Sequence, residues 1–335
     1  MDSHLIVLPL SNKTAWFESC LKEKLNSYME LRESQGHQTS KIRHIFISLD
    51  KYLQKAGPNV QSLPPAIIDG WIASLPEKLS INTVNIYISA YIQFAKYLRS
   101  LGYDAFIPEK AISSKNYSPY IFHEDDLAAL TQASDILVFS ASEKHRHNAA
   151  CFSVMLRMYI GCGFRLNEIR LLKTKNVDLE YGIIHVRNAK GNRDRIVPMH
   201  KTLTENVKVY SISGIPQKEN WFFPSRTENP ISCSWIRDAF LKCIQYIGIE
   251  RPDLPKHARN ICLHCLRHSF AVAAFRQLDN NGLDMYNEIP VLSTYMGHEN
   301  LYGTEHYLHM TAENSRDILD KMEEFNKGLF PEVLE

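Results

Sequence analysis

The helical periodicity of this chain breaks once over a long stretch, between Gly102 and Pro119, and the break divides the sequence into two parts. The stretch holds Pro108 and several serines, and its apolar residues show no spacing of three and four. Such a segment is typical of an extended linker between domains. A chain of 335 residues is long enough for two domains with separate cores. We therefore predict a first domain at 12–105, a linker at 106–119, a second domain at 120–326 and a C-terminal tail at 327–335.

The first part predicts a small bundle of helices. Its apolar residues recur at three and four, and short joints with Gly, Pro or a capping hydroxyl separate the runs. The predicted helices cover Trp16 to Leu31, then a run from a cap at Thr39 or Ser40 to Gly57-Pro58, then Pro64-Pro65 to about Pro76, and last, after a cap at Ser80, Thr83 to about Leu101.

The second part predicts more helices and one β-hairpin. Between Val177 and Pro198 the apolar period changes to two, with strands at 182–186 and 195–198 around a polar turn at 188–193. Helical patterns cover 124–133, 148–161, 234–247, 267–278, 289–296 and 311–326. The fold class expected is mainly α with a small antiparallel β-sheet in the C-terminal domain.

Composition excludes some classes of protein. The sequence contains no run of eighteen apolar residues and no basic start of a signal peptide, so we expect a cytoplasmic protein. Its formal net charge of +1 neither indicates nor excludes nucleic-acid binding. The seven cysteines favour reduced core thiols. Cys262 and Cys265, next to His264 and His268, leave zinc as an alternative to core packing, although no second pair follows at finger-like spacing.

Basic and polar residues from separate segments of the second part suggest one site. They are Arg165, Lys190, His264, Arg267, His298 and Tyr307. On one helix, His264 and Arg267 are three residues apart and can reach the same anion. No acidic cluster suited to two Mg²⁺ ions and no glycine-rich phosphate loop accompanies the set, so we expect neither a metal nor another cofactor.

Two guanidiniums can hold the nonbridging oxygens of one phosphodiester through forked hydrogen bonds, and they remain charged at any working pH. A phosphoryl centre held in this way needs positioning and neutralisation of charge more than covalent help. A nucleophile and an acid for the leaving group would complete the chemistry.

In this order and context the residues resemble the tyrosine recombinase (phage integrase) family. The matching pieces are C-G-F-R-L-N-E-I, A-K-G-N-R-D-R-I-V-P, H-C-L-R-H-S-F-A and M-G-H-E-N-L-Y-G-T-E-H-Y, and Tyr307 follows His298 by nine residues (307 − 298 = 9). Each piece alone is weakly specific, whereas all four in order are highly specific. The resemblance implies a two-domain, C-shaped DNA clamp, with a helical, SAM-like core-binding domain before the catalytic domain.

The resemblance also implies a role for each residue. Tyr307 would attack the scissile phosphate to form a 3′-phosphotyrosyl bond, while Arg165 and Arg267 hold the phosphate. Lys190 would protonate the leaving 5′-oxygen, His264 would assist proton transfer, and His298 would bind a phosphate oxygen. Glu168, three residues after Arg165, would orient it. Two other tyrosines, Tyr302 and Tyr295, lie close enough in sequence to compete for the nucleophile role.

The resemblance also implies a biological setting. The segment 275–290 is longer than in the compact members that resolve chromosome dimers, and its length favours the branch of transposons and other integrative elements. We therefore expect integration, excision or transposition. Chromosome or plasmid dimer resolution is the alternative. We expect a homotetramer on two double-stranded DNA sites, located on the nucleoid, with a directionality protein as a further partner. Because only about a dozen residues precede the first predicted helix, we expect no arm-binding domain in this sequence.

The apolar residues after Tyr307, among them Ile318, Phe325 and Leu334, either fold back on their own domain or dock on a neighbouring protomer. Three other functions compete with recombination. They are a DNA-binding protein that has lost activity, a type IB topoisomerase, and a zinc-binding structural protein.

Overall fold

The computed structural model describes residues 16–37, 39–57, 62–110, 119–187, 194–216, 220–250 and 260–298. The chain divides into two compact units, one before and one after residue 116. Within the described ranges, no helix is both long and apolar enough to cross a membrane.

The first unit contains the four predicted helices: α1 (Lys22–Ser34), α2 (Ser40–Ala56), α3 (Pro65–Ala73) and α4 (Ile81–Ser100). Its core is aromatic, with Phe46, Trp71 and Phe94 fully buried. The Ser80 hydroxyl accepts the backbone N–H of Thr83 at 3.2 Å and so caps α4 as predicted.

Helix α1 begins at Lys22, six residues later than predicted. The reason is a buried carboxylate on α2: Asp50 accepts the backbone N–H groups of Glu18 and Ser19, both at 3.0 Å. These bonds hold the chain outside the helix, although Phe17 is still buried in the core. The first two residues of the predicted linker belong to this unit, because Phe106 and Ile107 pack against the same core. The Tyr91 hydroxyl donates to the Phe106 carbonyl at 2.9 Å.

The second unit is mainly helical. Its helices are α5 (Glu124–Ser140), α6 (Glu143–Cys162), α7 (Leu166–Arg170), α8 (Lys201–Ser211), α9 (Cys233–Tyr246), α10 (Leu263–Asn280) and α11 (Met285–Met296). Helix α6 is its centre, since Phe152, Met155 and Leu156 are completely buried. Two of these helices, α7 and α8, were not predicted, and α10 begins four residues before its predicted start. The helix predicted at 311–326 lies outside the described residues.

A three-stranded antiparallel sheet accompanies these helices, in the order β1 (Val177–Asp178), β2 (Ile183–Val186), β3 (Arg195–Pro198). The predicted hairpin is formed by β2 and β3, with Ile184 opposite Val197, and both of these side chains are buried. The short strand β1 extends the hairpin beyond the prediction. The architecture thus confirms a mainly α fold with a small antiparallel sheet.

Candidate active site

Arg165 stands at the start of α7, immediately after α6 ends. Helix α6 closes on Gly163, which has a left-handed conformation (φ 59°). A Cβ there would lie 2.5 Å from the Phe270 ring, so glycine is required for packing as well as for conformation. The Arg165 backbone N–H then donates to Glu168 Oε2 at 2.8 Å, and its Nη1 donates to Glu168 Oε1 at 2.9 Å. Glu168 therefore fixes both the backbone and the side chain of Arg165.

Arg267 enters the same region from α10 and is almost wholly buried, with 1% of its surface exposed. Its Nη1 donates to the Gly163 carbonyl and its Nη2 to the Met296 carbonyl, each at 2.6 Å. A buried guanidinium is costly unless it is hydrogen-bonded. Backbone carbonyls at two helix ends supply those bonds, so the position of Arg267 depends on how α6 and α11 terminate.

The C-terminal end of α11 is where the arginines converge. Helix ends leave backbone carbonyls without intrahelical partners. Two of these are satisfied locally, by the His298 N–H bonding to the Ser293 carbonyl and the Gly297 N–H to the Thr294 carbonyl, both at 3.0 Å. The next three accept arginines: Tyr295 from Arg195 Nε at 2.8 Å, Met296 from Arg267 at 2.6 Å, and Gly297 from Arg165 Nη2 at 2.5 Å. Cations near a helix C-terminus also interact favourably with its dipole.

Glu168 is the one carboxylate that hydrogen-bonds these arginines among the described residues. Besides Arg165 it binds Arg195 through a forked pair, with Nη1 to Oε1 at 2.9 Å and Nη2 to Oε2 at 2.8 Å. Burial alone would raise the pKa of Glu168, but the hydrogen bonds and charge of Arg195, followed by those of Arg165, lower it to about 2. Within the part of the chain that the structure describes, three guanidiniums and one carboxylate (3 − 1 = 2) leave two excess positive charges, which suit an anion.

His298 follows directly on this end of α11. Burial lowers its pKa to about 3, and the charges of Arg267 and then Arg165 act in the same direction. The imidazole is therefore neutral at working pH, with one nitrogen able to donate a hydrogen bond. His264, exposed on α10, is close enough to contribute to the same shift, and its ring meets that of His268 edge-on with centroids 4.7 Å apart.

Of the residues singled out from the sequence, the structure brings together Arg165, Glu168, Arg267 and His298, with His264 at the rim. Lys190 and Tyr307 lie outside the described residues. Arg195 was missed. It precedes the buried Val197 by two residues on β3, so strand alternation already placed it on the inward face, where a charged side chain is unusual.

The structure also describes the zinc alternative at Cys262 and Cys265 and the competing tyrosine Tyr295. The sulfurs of Cys262 and Cys265 are 3.9 Å apart at the start of α10, and Cys265 is buried. Across the described ranges, no three His, Cys, Asp or Glu side chains come together as a metal site would require. Tyr295 is held at the site's edge by a hydrogen bond from its hydroxyl to the Pro198 carbonyl at 3.1 Å.

Comparison with known proteins shows the family of the chain. The model of the phage integrase family matches residues 121–314, which is more than half of the chain. The chain belongs to the phage integrase family. The resemblance drawn from the four sequence motifs is therefore confirmed, and with it the expected enzyme class, a tyrosine recombinase that transfers DNA strands.

Individual members of the phage integrase family are similar along most of the chain. Tyrosine recombinase XerC of Thermodesulfovibrio yellowstonii is 25% identical over 314 residues, covering 90% of this chain and 96% of the relative. A lambda integrase tetramer bound to a Holliday junction has a TM-score of 0.60 at 14% identity, over 86% of this chain and 76% of that one. The Tn1549 transposon integrase in complex with transposon right end DNA has a TM-score of 0.60 at 16% identity, over 85% and 94%. At these identities the structures support the fold.

Proposed function

We propose that this protein is a site-specific DNA recombinase that cleaves and rejoins strands through a 3′-phosphotyrosyl intermediate. The observation that carries the proposal is the convergence of Arg165 and Arg267 at the end of α11, beside a neutral His298. A guanidinium has more N–H donors than the two contacts of Arg165 use, so donors remain for a phosphate oxygen. The catalytic unit is the domain at 120–326, and the domain at 12–105 binds core DNA.

In the proposed mechanism the Tyr307 hydroxyl oxygen attacks the scissile phosphorus, and the bond from phosphorus to the 5′-oxygen breaks. Arg165 and Arg267 neutralise the charge on the nonbridging oxygens, and His298 donates a hydrogen bond to one of them. His264 accepts the tyrosine proton and Lys190 protonates the departing 5′-oxygen. The phosphotyrosine conserves the energy of the phosphodiester, so a second 5′-hydroxyl can reverse the reaction without ATP or metal.

The test is capture of a covalent adduct on a nicked suicide substrate. A library of duplexes is incubated with the full-length protein in EDTA, and DNA that stays bound after denaturation is sequenced to identify the target. We expect an adduct that is lost in Tyr307→Phe and kept in Tyr295→Phe. An adduct that persists in Tyr307→Phe would assign the nucleophile elsewhere, with Tyr302 tested first, and no adduct at all would refute the chemistry.

The second part of the proposal concerns the DNA on which the recombinase acts. We favour integration, excision or transposition of a mobile element, because the segment 275–290 is long and a transposon integrase shares the fold. Chromosome or plasmid dimer resolution is the alternative, supported by the similarity to XerC. The captured sequences distinguish the two: ends of a mobile element support the first, and a single chromosomal or plasmid site supports the second.

The working assembly is proposed as a homotetramer on two DNA sites, since exchange between two duplexes needs four cleavages. A tetramer of lambda integrase on a Holliday junction is a precedent within the fold. We propose that the C-terminal segment, including 327–335, docks on the neighbouring protomer in this assembly. We also propose that an accessory protein sets the direction of recombination, and that the reaction takes place in the cytoplasm. Deletion from Lys327 onward should abolish tetramers on DNA while leaving binding to a single site unchanged. Unchanged tetramer formation would refute docking of the C-terminal segment on the neighbouring protomer.

A further inference from the structure

Arg195 is a nearly buried side chain with three hydrogen bonds, and the proposed mechanism gives it no role. It is the first residue of β3, and 6% of its side-chain surface is exposed, as for Glu168. Its two terminal nitrogens form the forked pair with Glu168, and its Nε donates to the Tyr295 carbonyl. One side chain thus connects the hairpin, the start of α7 and the end of α11.

Stability alone does not account for this arrangement. A buried ion pair loses hydration on both partners, and well-packed apolar residues of similar volume are often as stable. The contacts of Arg195 are instead directed at groups that hold other site residues. Glu168 is the anchor of Arg165, and a Cβ on Gly297 would lie 2.9 Å from Arg195 Nη1, so the guanidinium lies against the peptide whose carbonyl holds Arg165.

We infer that Arg195 is a positioning residue of the recombinase site, which acts through Glu168 and the end of α11 to aim Arg165 and His298 at the phosphate. The inference rests on the proposed function and deepens it. Two of the three hydrogen bonds of Arg195 go to Glu168, which anchors Arg165, and the third goes to the Tyr295 carbonyl at the end of α11. Its effect on the reaction is therefore geometric.

Substitution should slow the chemical step and spare DNA binding. A displacement of about 1 Å can cost about 100-fold in rate, whereas affinity comes from many phosphate contacts. Lysine keeps the charge but cannot reproduce the fork to Glu168 while also bonding the Tyr295 carbonyl. In Arg195→Lys we expect cleavage to be slower by about 10- to 100-fold, with the dissociation constant for intact duplex within about twofold of wild type.

The matched control is Arg157→Lys in the same unit. Arg157 on α6 makes an equivalent fork to Asp135 on α5, with Nη2 to Oδ2 at 2.6 Å and Nη1 to Oδ1 at 3.0 Å. Its hydrogen bonds within the described ranges go to Asp135 and Ser153, neither of which belongs to the site. Single-turnover adduct formation by the full-length protein on the captured substrate, the dissociation constant and the unfolding midpoint are measured for both variants. We expect Arg157→Lys to cleave at the wild-type rate.

Action through Glu168 is tested by a double-mutant cycle with Glu168→Gln. If Arg195 works through this carboxylate, its substitution costs less in the Glu168→Gln background than in wild type. Equal losses in both backgrounds, or cleavage by Arg195→Lys within about twofold of wild type, would overturn the inference. If Arg195→Lys does not fold, Arg195→Gln takes its place with the same outcomes. Failure of the proposed function differs, because then wild type itself forms no adduct.

Discussion

The low pKa of His298 predicts a specific dependence of folding stability on pH. Its ordinary value is 6.5, and in the folded protein burial and the neighbouring arginines lower it to about 3. Below pH 6.5 the unfolded chain therefore binds a proton at His298 that the folded protein does not. Protonation favours the unfolded state, so the contribution of His298 to the free energy of unfolding falls as the pH falls from 6.5 towards 3.

The size of the effect follows from linkage. One proton bound only by the unfolded state changes the free energy of unfolding by about 1.4 kcal/mol per pH unit. Between pH 6.5 and 4.5 the upper limit is therefore about 2.7 kcal/mol. Partial exposure of the ring screens the interaction, so we expect ~1–2.5 kcal/mol. Above pH 4.5, the ordinary value for Glu168, the lowered pKa of that residue adds little, because its stabilising contribution is lost only as the pH falls from 4.5 towards about 2.

Urea unfolding of wild type and His298→Asn at half-unit steps from pH 4.5 to 7.5 measures the effect. All other titrating groups are common to the two proteins, so the difference between their free energies of unfolding isolates His298. We expect wild type to lose stability relative to His298→Asn as the pH falls. His298→Gln serves as a second replacement of different length. A difference that stays constant over this range would show that His298 titrates normally in the folded protein.

Three further predictions concern the same site. Sulfate should raise the unfolding midpoint of wild type more than that of Arg165→Gln, because an anion that binds only the folded state stabilises it, and thermal melts in sulfate against chloride measure the difference. Arg267→Lys should lower the free energy of unfolding by about 1–3 kcal/mol, since lysine cannot serve both carbonyls, and loss of less than half this in urea melts would contradict the assigned bonds. Gly163→Ala should destabilise by about 1–3 kcal/mol more than Gly248→Ala, because both glycines have positive φ but only a Cβ at Gly163 meets the Phe270 ring. Equal losses in urea melts would refute the packing argument.

Capping residues, glycines and prolines predicted the helix boundaries that depend only on neighbouring residues. The Ser80 cap and the glycine and proline joints mark the first unit because each acts on adjacent residues. The start of α1 was predicted wrongly because it depends on Asp50, more than thirty residues away. Helix α7, with five residues, is too short to show a period. Helix α8 did carry one, since Leu203, Val207 and Tyr210 are spaced by four and three.

The sequence predicted the side chains of the site but not the backbone groups that hold them. Motif order singled out Arg165, Arg267 and His298, which the structure brings together. The partners of the arginines were not predictable in the same way, because backbone carbonyls at a helix end carry no residue identity. Arg195 was partly predictable. Alternation placed it inward, but its pairing with Glu168 spans 27 residues and depends on the tertiary fold.

The anchoring of α11 has a consequence for how this family can vary. Three arginines and a closed helix end fix the C-terminal carbonyls, whereas the residues that lead into α11, from Asn281 to Asp284, are exposed. Insertions before the helix can therefore be accommodated at its start without moving His298. The segment 275–290 contains this junction, because α10 ends at Asn280 and α11 begins at Met285. A change of length between the two helices therefore leaves the carbonyl end of α11 in place.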